Sequence, residues 1–331
     1  MSKKILIVTD NLKDQINGVV TTFKNIEKRA VLDGYSFLYL DPGEFIHFNC
    51  PGYPEVKLSI PWQIGKKVKA MAPDYIHIAT EGPIGAGCRF YLNQHGINYN
   101  TSYHTKFPEF VNKLYGIPIS LSYEYLKWFH KKSKVVLTTS KTMTEELKQK
   151  GFKNKFVEWT RGVEVVGNNF NYDHKFSNTV LYVGRVSKEK NLEALLCLQK
   201  QYNIIIVGDG PEKKNLEKKY PLVNFVGYKQ GYELFEYYKK ADVFCFPSLL
   251  DTFGVVIIEA MSQGTPVAAF NVTGPKDIVK QGVTGYLGNN LNENIQKCIS
   301  LDRKTIYENS KSWTWERSWQ TFRNNLTLCT E

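Results

Sequence analysis

Short runs of aliphatic and β-branched residues alternate with helix-length stretches along almost the whole of this chain. "KKILIVTD" reads as a buried strand, and "NGVVTTFKNIEKRAVLDG" as a helix ending at Gly34. "DYIHIAT" (74–80) is a second strand, with a helix beginning in "GPIGAGCRFYLNQHG". "INYNTSYH" (97–104), "KVVLTTS" (134–140) and "KFVEW" (155–159) continue the series. The pattern stops in the polar segment 164–177, which reads as a linker, and then restarts. "NTVLYVGR", "YNIIIVGDG", "VNFVGY", "ADVFCFPS" and "TPVAAF" are five further strands with helices between them. Such alternation specifies parallel sheets covered by helices on both faces. The expectation is therefore α/β, with two Rossmann-like doubly wound domains. In the tail, Trp315, Trp319 and Phe322 fall on one face of a helix and read as a packing surface.

Two domains also suit a length of 331 residues. The chain has no apolar run long enough to span a bilayer, and its first strand does not read as a signal peptide. Six scattered cysteines form no CxxC pair, which argues against a zinc site or disulfide framework and for a reducing cytosol. The net charge of +11 favours an anionic partner. Residues 130–155 carry eight lysines against Glu145 and Glu146.

In open parallel sheets ligands bind at the carboxyl ends of the strands. "YVGRVSKEKN" leaves a strand at Gly184 and offers Arg185 and Lys190, two cations suited to a diphosphate. "IIIVGDGPEKKNL" supplies Gly208 and Gly210 but lacks the third glycine of a dinucleotide fingerprint. No P-loop, HExxH or Asp-x-Asp occurs, so neither an ATPase nor a dedicated catalytic metal is expected. "SLLDTFGVVIIEAMSQG" places Asp251 before a helix that starts near Gly254, and Glu259 inside it. The helix start can hold an anion, whereas the two acids suit hydroxyl groups. Cations, helix start and hydroxyl acceptors together fit a sugar nucleotide.

The chain carries "NGVVTTF", "ATEGPIG", "TSYHTKFPEF", "RGVE", "VGRVSKEKNL", "VGDGP", "DTFGVVIIEAMSQGTPVAAF" and "VTGPKDIV" in that order. This set resembles glycosyltransferase family 4, retaining enzymes of the GT-B fold, over nearly the whole length. The resemblance implies a cleft between the domains. It implies an acceptor-side domain over 1–165, with residues 311–331 docking back as a C-terminal helix, and a sugar-nucleotide domain over 172–310. It gives Arg185 and Lys190 to the leaving diphosphate, Glu259 to the ribose and Asp251 to the hexose. Asp251 departs from the family's first glutamate by one methylene. Thr252, Phe253 and Gly254 would meet phosphate or sugar, with Gly184 and Gly208 lining the donor site. Gly227 and Tyr228 would lie near the base, Gly18 near the phosphates, and His104 against the reacting sugar. No metal and no cofactor beyond the nucleotide-sugar co-substrate are implied.

The phrasing of "TSYHTKFPEF", "WTRGVE" and "FNVTGPKDIV" is similar to bacterial enzymes that glycosylate diacylglycerol, and to others labelled mannosyltransferases. Relatives of the first kind imply UDP-glucose or UDP-glucuronate as donor. The stretch "ISLSYEYLKWFHKKSK" (119–134) has two readings: an amphipathic helix on an anionic membrane, or an internal helix filling the first domain's core. On the first, Tyr125, Trp128, Phe129, Lys131 and Lys132 face the membrane or acceptor, and the protein is peripheral on the cytoplasmic face. A saccharide acceptor or GDP-mannose donor is the alternative within the class. A basic nucleic-acid-binding protein is the alternative outside it, but no recognition motif supports one and no nucleic-acid partner is expected. A sugar-nucleotide epimerase would share the fold.

Overall fold

Parallel strands buried on both faces read as near-continuous apolar runs, and the central strands of this chain's two sheets include such runs, "KKILIV", "TVLYV" and "VFCF". The computed structural model describes residues 2–15, 17–50, 53–164 and 176–330. Contacts divide the chain into two units, Met1–Arg161 with Trp315–Glu331, and Gly162–Thr314. The expected linker at 164–177 lies largely outside the described residues.

The first unit runs β1 (Lys3–Val8), α1 (Gly18–Leu32), β2 (Tyr35–Leu40), β3 (Ile46–Cys50), β4 (Tyr53–Ile60), α2 (Ile64–Met71), β5 (Tyr75–Ile78) and α3 (Pro83–Gln94). It continues with β6 (Asn100–Tyr103), α4 (Phe107–Tyr115), α5 (Ile119–His130), β7 (Val136–Thr138), α6 (Lys141–Gln149) and β8 (Phe156–Glu158). Six strands form a parallel sheet in the order β2-β1-β5-β6-β7-β8, and β3 and β4 form a separate antiparallel hairpin. The sheet order reverses between β1 and β5, where such sheets bind ligands.

The second unit contains β9 (Thr179–Val183), α7 (Glu193–Leu196), β10 (Asn203–Val207), α8 (Lys213–Lys219), β11 (Asn224–Gly227), α9 (Gly231–Lys240) and β12 (Val243–Phe246). It goes on through α10 (Val255–Ser262), β13 (Val267–Ala269), α11 (Pro275–Ile278), β14 (Gly285–Leu287), α12 (Leu291–Cys298) and α13 (Arg303–Ser310). Its six parallel strands lie in the order β11-β10-β9-β12-β13-β14. Counted within the unit this is 3-2-1-4-5-6, the dinucleotide-domain order, with its reversal between β9 and β12.

The last helix, α14 (Trp315–Asn324), belongs to the first unit. Trp315, Trp319 and Phe322 are all buried in the core made by β1, α1 and β2. The Trp319 indole donates to Asp33 at 2.7 Å, and the Trp159 indole donates to the Ser318 carbonyl at 3.0 Å. The apolar face of a polar-looking helix is thus tied down at both indoles.

α5 divides the residues expected to face a membrane. Phe129 is fully buried in the core with Leu6, Ile78 and Cys88, so the expectation that it faces lipid is corrected. Helical phase decides this: Leu126 and Phe129 point inward, and Trp128 lies on the outer side. Tyr125 is partly buried, and its hydroxyl donates to the Glu81 carbonyl. Lys131 and Lys132 are exposed. Trp128 is held by Arg89, whose guanidinium stacks 3.8 Å over the indole while its Nε donates to the Phe129 carbonyl.

Candidate active site

At the reversal point of the second unit two loops leave neighbouring strands. One follows β9 and carries Gly184, Arg185 and Lys190; the other follows β12 and carries Asp251. The Lys190 ammonium donates to Asp251 Oδ1 at 2.6 Å, joining residues 61 apart in sequence. Burial alone would raise the Asp251 carboxyl. The charge and hydrogen bond of Lys190, with a lesser contribution from Ser248, hold it below the usual carboxylate range. The second oxygen, Asp251 Oδ2, is buried and lacks a partner of hydrogen-bonding geometry. A buried, ionised and unpaired acceptor is costly unless a ligand donates to it. Asn191 fixes the lysine loop by donating from Nδ2 to the Pro247 carbonyl at 3.1 Å, so both loops are held in register.

Thr252 and Phe253 are buried, and Phe253 packs edge-on against Trp313. Gly254 at φ +100° begins α10, which has no side-chain cap at its N-terminus. Its first-turn amides are therefore not occupied by a capping side chain. Gly274 shapes the same loop. At φ +93° it passes so close that a Cβ there would lie 2.7 Å from the Phe253 carbonyl oxygen.

Glu259 is half-buried on α10, and its Oε2 accepts from the fully buried Tyr238 hydroxyl at 2.9 Å. Burial raises the Glu259 carboxyl and the tyrosine hydrogen bond opposes that rise. Tyr238, on α9, was not foreseen; its phenol orients the carboxylate. Tyr238→Phe is expected to raise KM for the donor by about tenfold with kcat little changed, because it removes the hydrogen bond that orients the Glu259 carboxylate. Steady-state kinetics with varied donor check this, and an unchanged KM would remove Tyr238 from the donor site.

The glycines divide by role. Gly208, expected to line the donor site, follows β10 where a Cβ would lie 1.9 Å from the Gly184 carbonyl oxygen. Its smallness serves the close crossing of the β9 and β10 ends. A Cβ on Gly184 would meet the Tyr182 hydroxyl at 2.7 Å, and that hydroxyl donates to the Arg185 carbonyl at 2.9 Å. Tyr182 thus shapes the turn that presents Arg185. Gly227 ends β11, and Tyr228 beside it is exposed.

In the first unit His104 follows β6, and both of its ring nitrogens are engaged. Arg161 donates to Nδ1 at 2.6 Å, and Nε2 lies 2.7 Å from the Ser102 hydroxyl, which also meets His77 Nε2 at 2.9 Å. Burial, then the Arg161 charge and His77, hold His104 well below the ordinary histidine range. Acceptance of a guanidinium proton at Nδ1 places the ring proton of the neutral form on Nε2. Burial also brings Arg161 down to about 9. Arg161 is the first residue of "RGVE", and it is the fold that brings it to His104. At the sheet reversal Asp10 follows β1. Its Oδ1 accepts from the Ile84 amide at 2.8 Å and its Oδ2 from the Thr80 hydroxyl at 2.7 Å, while burial raises its carboxyl to about 6. Gly18 is the first residue of α1, with open space where a side chain would project.

The paired histidines give stability a pH dependence. Burial brings His77 down to about 3, whereas an unfolded histidine titrates near 6.5. Below pH 6.5 the unfolded chain binds more protons, so stability is full above that pH and falls on acidification. His77 contributes a slope approaching about 1.4 kcal/mol per pH unit, and the partly exposed His104 a smaller one. Asp10 acts in the opposite sense below about pH 6, because its folded carboxyl takes up a proton first. Net stability is therefore expected to fall as the pH drops from about 7 to about 4, with Asp10 offsetting part of the histidine contribution below about pH 6; denaturant titrations across this range check it, and stability that rises steadily on acidification would contradict buried neutral rings.

Comparison with known proteins finds matches along both halves of the chain. Residues 27–166 match the profile described as Glycosyltransferase Family 4, and residues 170–311 match Glycosyl transferases group 1. A GDP-mannose-dependent alpha-mannosyltransferase of Corynebacterium glutamicum is 27% identical over 315 residues, covering 86% of this chain and 76% of its own length. Sulfoquinovosyl transferase SQD2 of Arabidopsis thaliana is 29% identical over 286 residues, covering 79% of this chain and 56% of its own. Among solved structures, sucrose-phosphate synthase of Thermosynechococcus elongatus superposes with a TM-score of 0.78 at 19% identity, covering 97% of this chain and 98% of that one. Anabaena HepE in complex with UDP-glucose gives 0.71 at 18% identity, with the same coverage. With both halves matched in order and the fold shared along its length, the chain belongs to glycosyltransferase family 4 and is a hexosyltransferase of the GT-B fold.

Proposed function

We propose that this enzyme transfers a hexose or hexuronic acid, with retention of configuration, from a nucleotide-diphosphate donor to a membrane lipid. The donor is UDP-glucose or UDP-glucuronate, and diacylglycerol is the acceptor. One observation carries the donor site: a lysine cation beside a partly buried aspartate whose second, buried oxygen has no hydrogen-bond partner. Lys190 and Arg185 take the diphosphate and stabilise the charge that grows on it. Asp251 Oδ2 receives a sugar hydroxyl, and Glu259, oriented by Tyr238, receives the ribose. Thr252 and the amides at Phe253 and Gly254 border the phosphate and sugar. The base lies by Gly227 and Tyr228. Gly18 approaches the phosphates, and His104 meets the reacting sugar as a neutral ring.

In the reaction the bond from the anomeric carbon to the β-phosphate oxygen breaks, and its electron pair stays on that oxygen. The acceptor hydroxyl oxygen bonds to the same face of the carbon. Its proton passes to the departing phosphate oxygen, so no side-chain nucleophile is needed. With cationic side chains in the charge-stabilising role, no metal is required.

The relatives named for GDP-mannose favour one second reading, a mannosyl donor at the same site. A panel of radiolabelled UDP- and GDP-sugars, each offered diacylglycerol and soluble saccharides, separates these readings. Label in the lipid phase from a UDP-sugar, undiminished by chelator, is expected. Label only in water-soluble product, or only from GDP-mannose, would replace this reading, and metal-reversible loss on chelation would overturn metal independence.

A further inference from the structure

The β3–β4 hairpin wears its apolar side outward. Ile46 pairs with Ile60 and Phe48 with Leu58 across the antiparallel register. These four side chains share one face, and they are 71%, 51%, 59% and 40% exposed. Trp62, just beyond β4, is 74% exposed. The intervening positions are polar: His47 and Asn49 are exposed as well, Lys57 is partly buried and Ser59 is buried. A hairpin resting on a protein normally turns its apolar positions in and its polar positions out, and a one-residue register slip would restore that arrangement. Here the apolar positions of the hairpin face outward, with the His47 ring against the Pro42 carbonyl at 2.9 Å and Pro61 packed beside Gly87 of α3. A monomeric protein seldom leaves so continuous an apolar face in water.

Charge indicates the occupant. The chain is basic overall, and α2, separated from β4 by three residues, has Lys66 and Lys69 exposed. Glu44, in the turn before β3, is tied to Lys67 at 2.8 Å. At the other end of β3, Cys50 Sγ lies 2.9 Å from the hydroxyl of the half-exposed Tyr115, two residues after the exposed Lys113. An apolar face carrying a tryptophan and bordered by unshielded lysines has the chemistry of a surface that enters the headgroup boundary of an anionic bilayer.

We infer that the outer face of the β3–β4 hairpin docks this enzyme onto an anionic membrane surface, with Phe48, Ile60 and Trp62 entering the interface. This assigns to the hairpin the contact that the sequence suggested for α5. It rests on the lipid-directed reading above for its purpose, but it can be tested apart from it.

The test is co-sedimentation of the full chain with phosphatidylglycerol–phosphatidylcholine vesicles, comparing wild type, a Phe48→Ser/Ile60→Ser double variant, and Leu32→Ser. Leu32 is an equally apolar residue, 85% exposed at the end of α1, and serves as the control. Far-UV spectra and thermal melts verify folding; the substituted side chains are exposed, so the melts should coincide. The double variant is expected to bind at least about tenfold more weakly, and Leu32→Ser as wild type. Equal binding by the double variant overturns the proposal and leaves the lipid acceptor standing. Absence of wild-type binding overturns it as well. In that case, transfer to detergent-dispersed diacylglycerol preserves the lipid reading, and no such transfer removes both. A wild-type dimer that the double variant dissociates would show the face to be a self-interface, which also overturns the proposal.

Discussion

Lys190→Ala should lower kcat by about a hundredfold to a thousandfold, the usual cost of removing one preorganised group that meets developing charge. Lys190 is positioned before any donor arrives. Its ammonium rests on Asp251 Oδ1, and the next residue, Asn191, clips its loop to the β12 loop. Little reorganisation is then needed when the diphosphate takes on charge. The substitution also strands Asp251, which loses the interaction that keeps its carboxyl low. Asp251→Asn separates the two effects: it removes the charge partner but keeps the cation. If Lys190 acts on the leaving group, Lys190→Ala loses kcat at every donor concentration, while Asp251→Asn loses sugar selectivity first. Rates within a few-fold of wild type for Lys190→Ala would refute its role. Arg185→Ala is expected to behave in the same direction.

The second large effect concerns stability. Trp319→Ala should destabilise the first unit by about 3–5 kcal/mol, the range for deleting a buried tryptophan. Trp319 is fully buried, packs edge-on against Tyr35 and tilted against Phe37, and donates to Asp33, which also accepts from Arg323. Removing the indole opens a cavity and leaves that aspartate with one partner fewer. Because α14 completes the core beside β1 and β2, loss of its anchor exposes apolar surface of the first unit. Denaturant unfolding should register the loss as a lower midpoint. A change under about 1 kcal/mol would show that the tail does not hold this unit together.

The parallel strands were legible because strands buried on both faces read as unbroken apolar runs; β1, β9, β10 and β12 are of this kind. β2, "YSFLYL", mixes half-exposed tyrosines into its edge position, and β14 is only three residues long, so neither stood out. The hairpin escaped for a different reason. "IHFNC" alternates correctly for a strand, but only the fold tells which face meets solvent. In the site, Lys190, Asp251 and Glu259 were legible as residue types at strand ends. Their partners were not, since the contacts of Asp251 with Lys190 and of Glu259 with Tyr238 span separate elements. Phe129 illustrates the limit of composition. It is adjacent to Trp128 and chemically alike, yet one residue of helical phase moves it from surface to core.

The central claim is that the reversal point of the second sheet grips a nucleotide diphosphate through Lys190. Calorimetric titration of wild type and Lys190→Ala with UDP, GDP and the corresponding nucleosides tests it most directly. The account predicts that the favoured diphosphate binds the variant at least about tenfold more weakly, while the nucleoside, which lacks phosphate, binds both alike. Equal diphosphate affinity in the two proteins would contradict it and place the phosphates elsewhere.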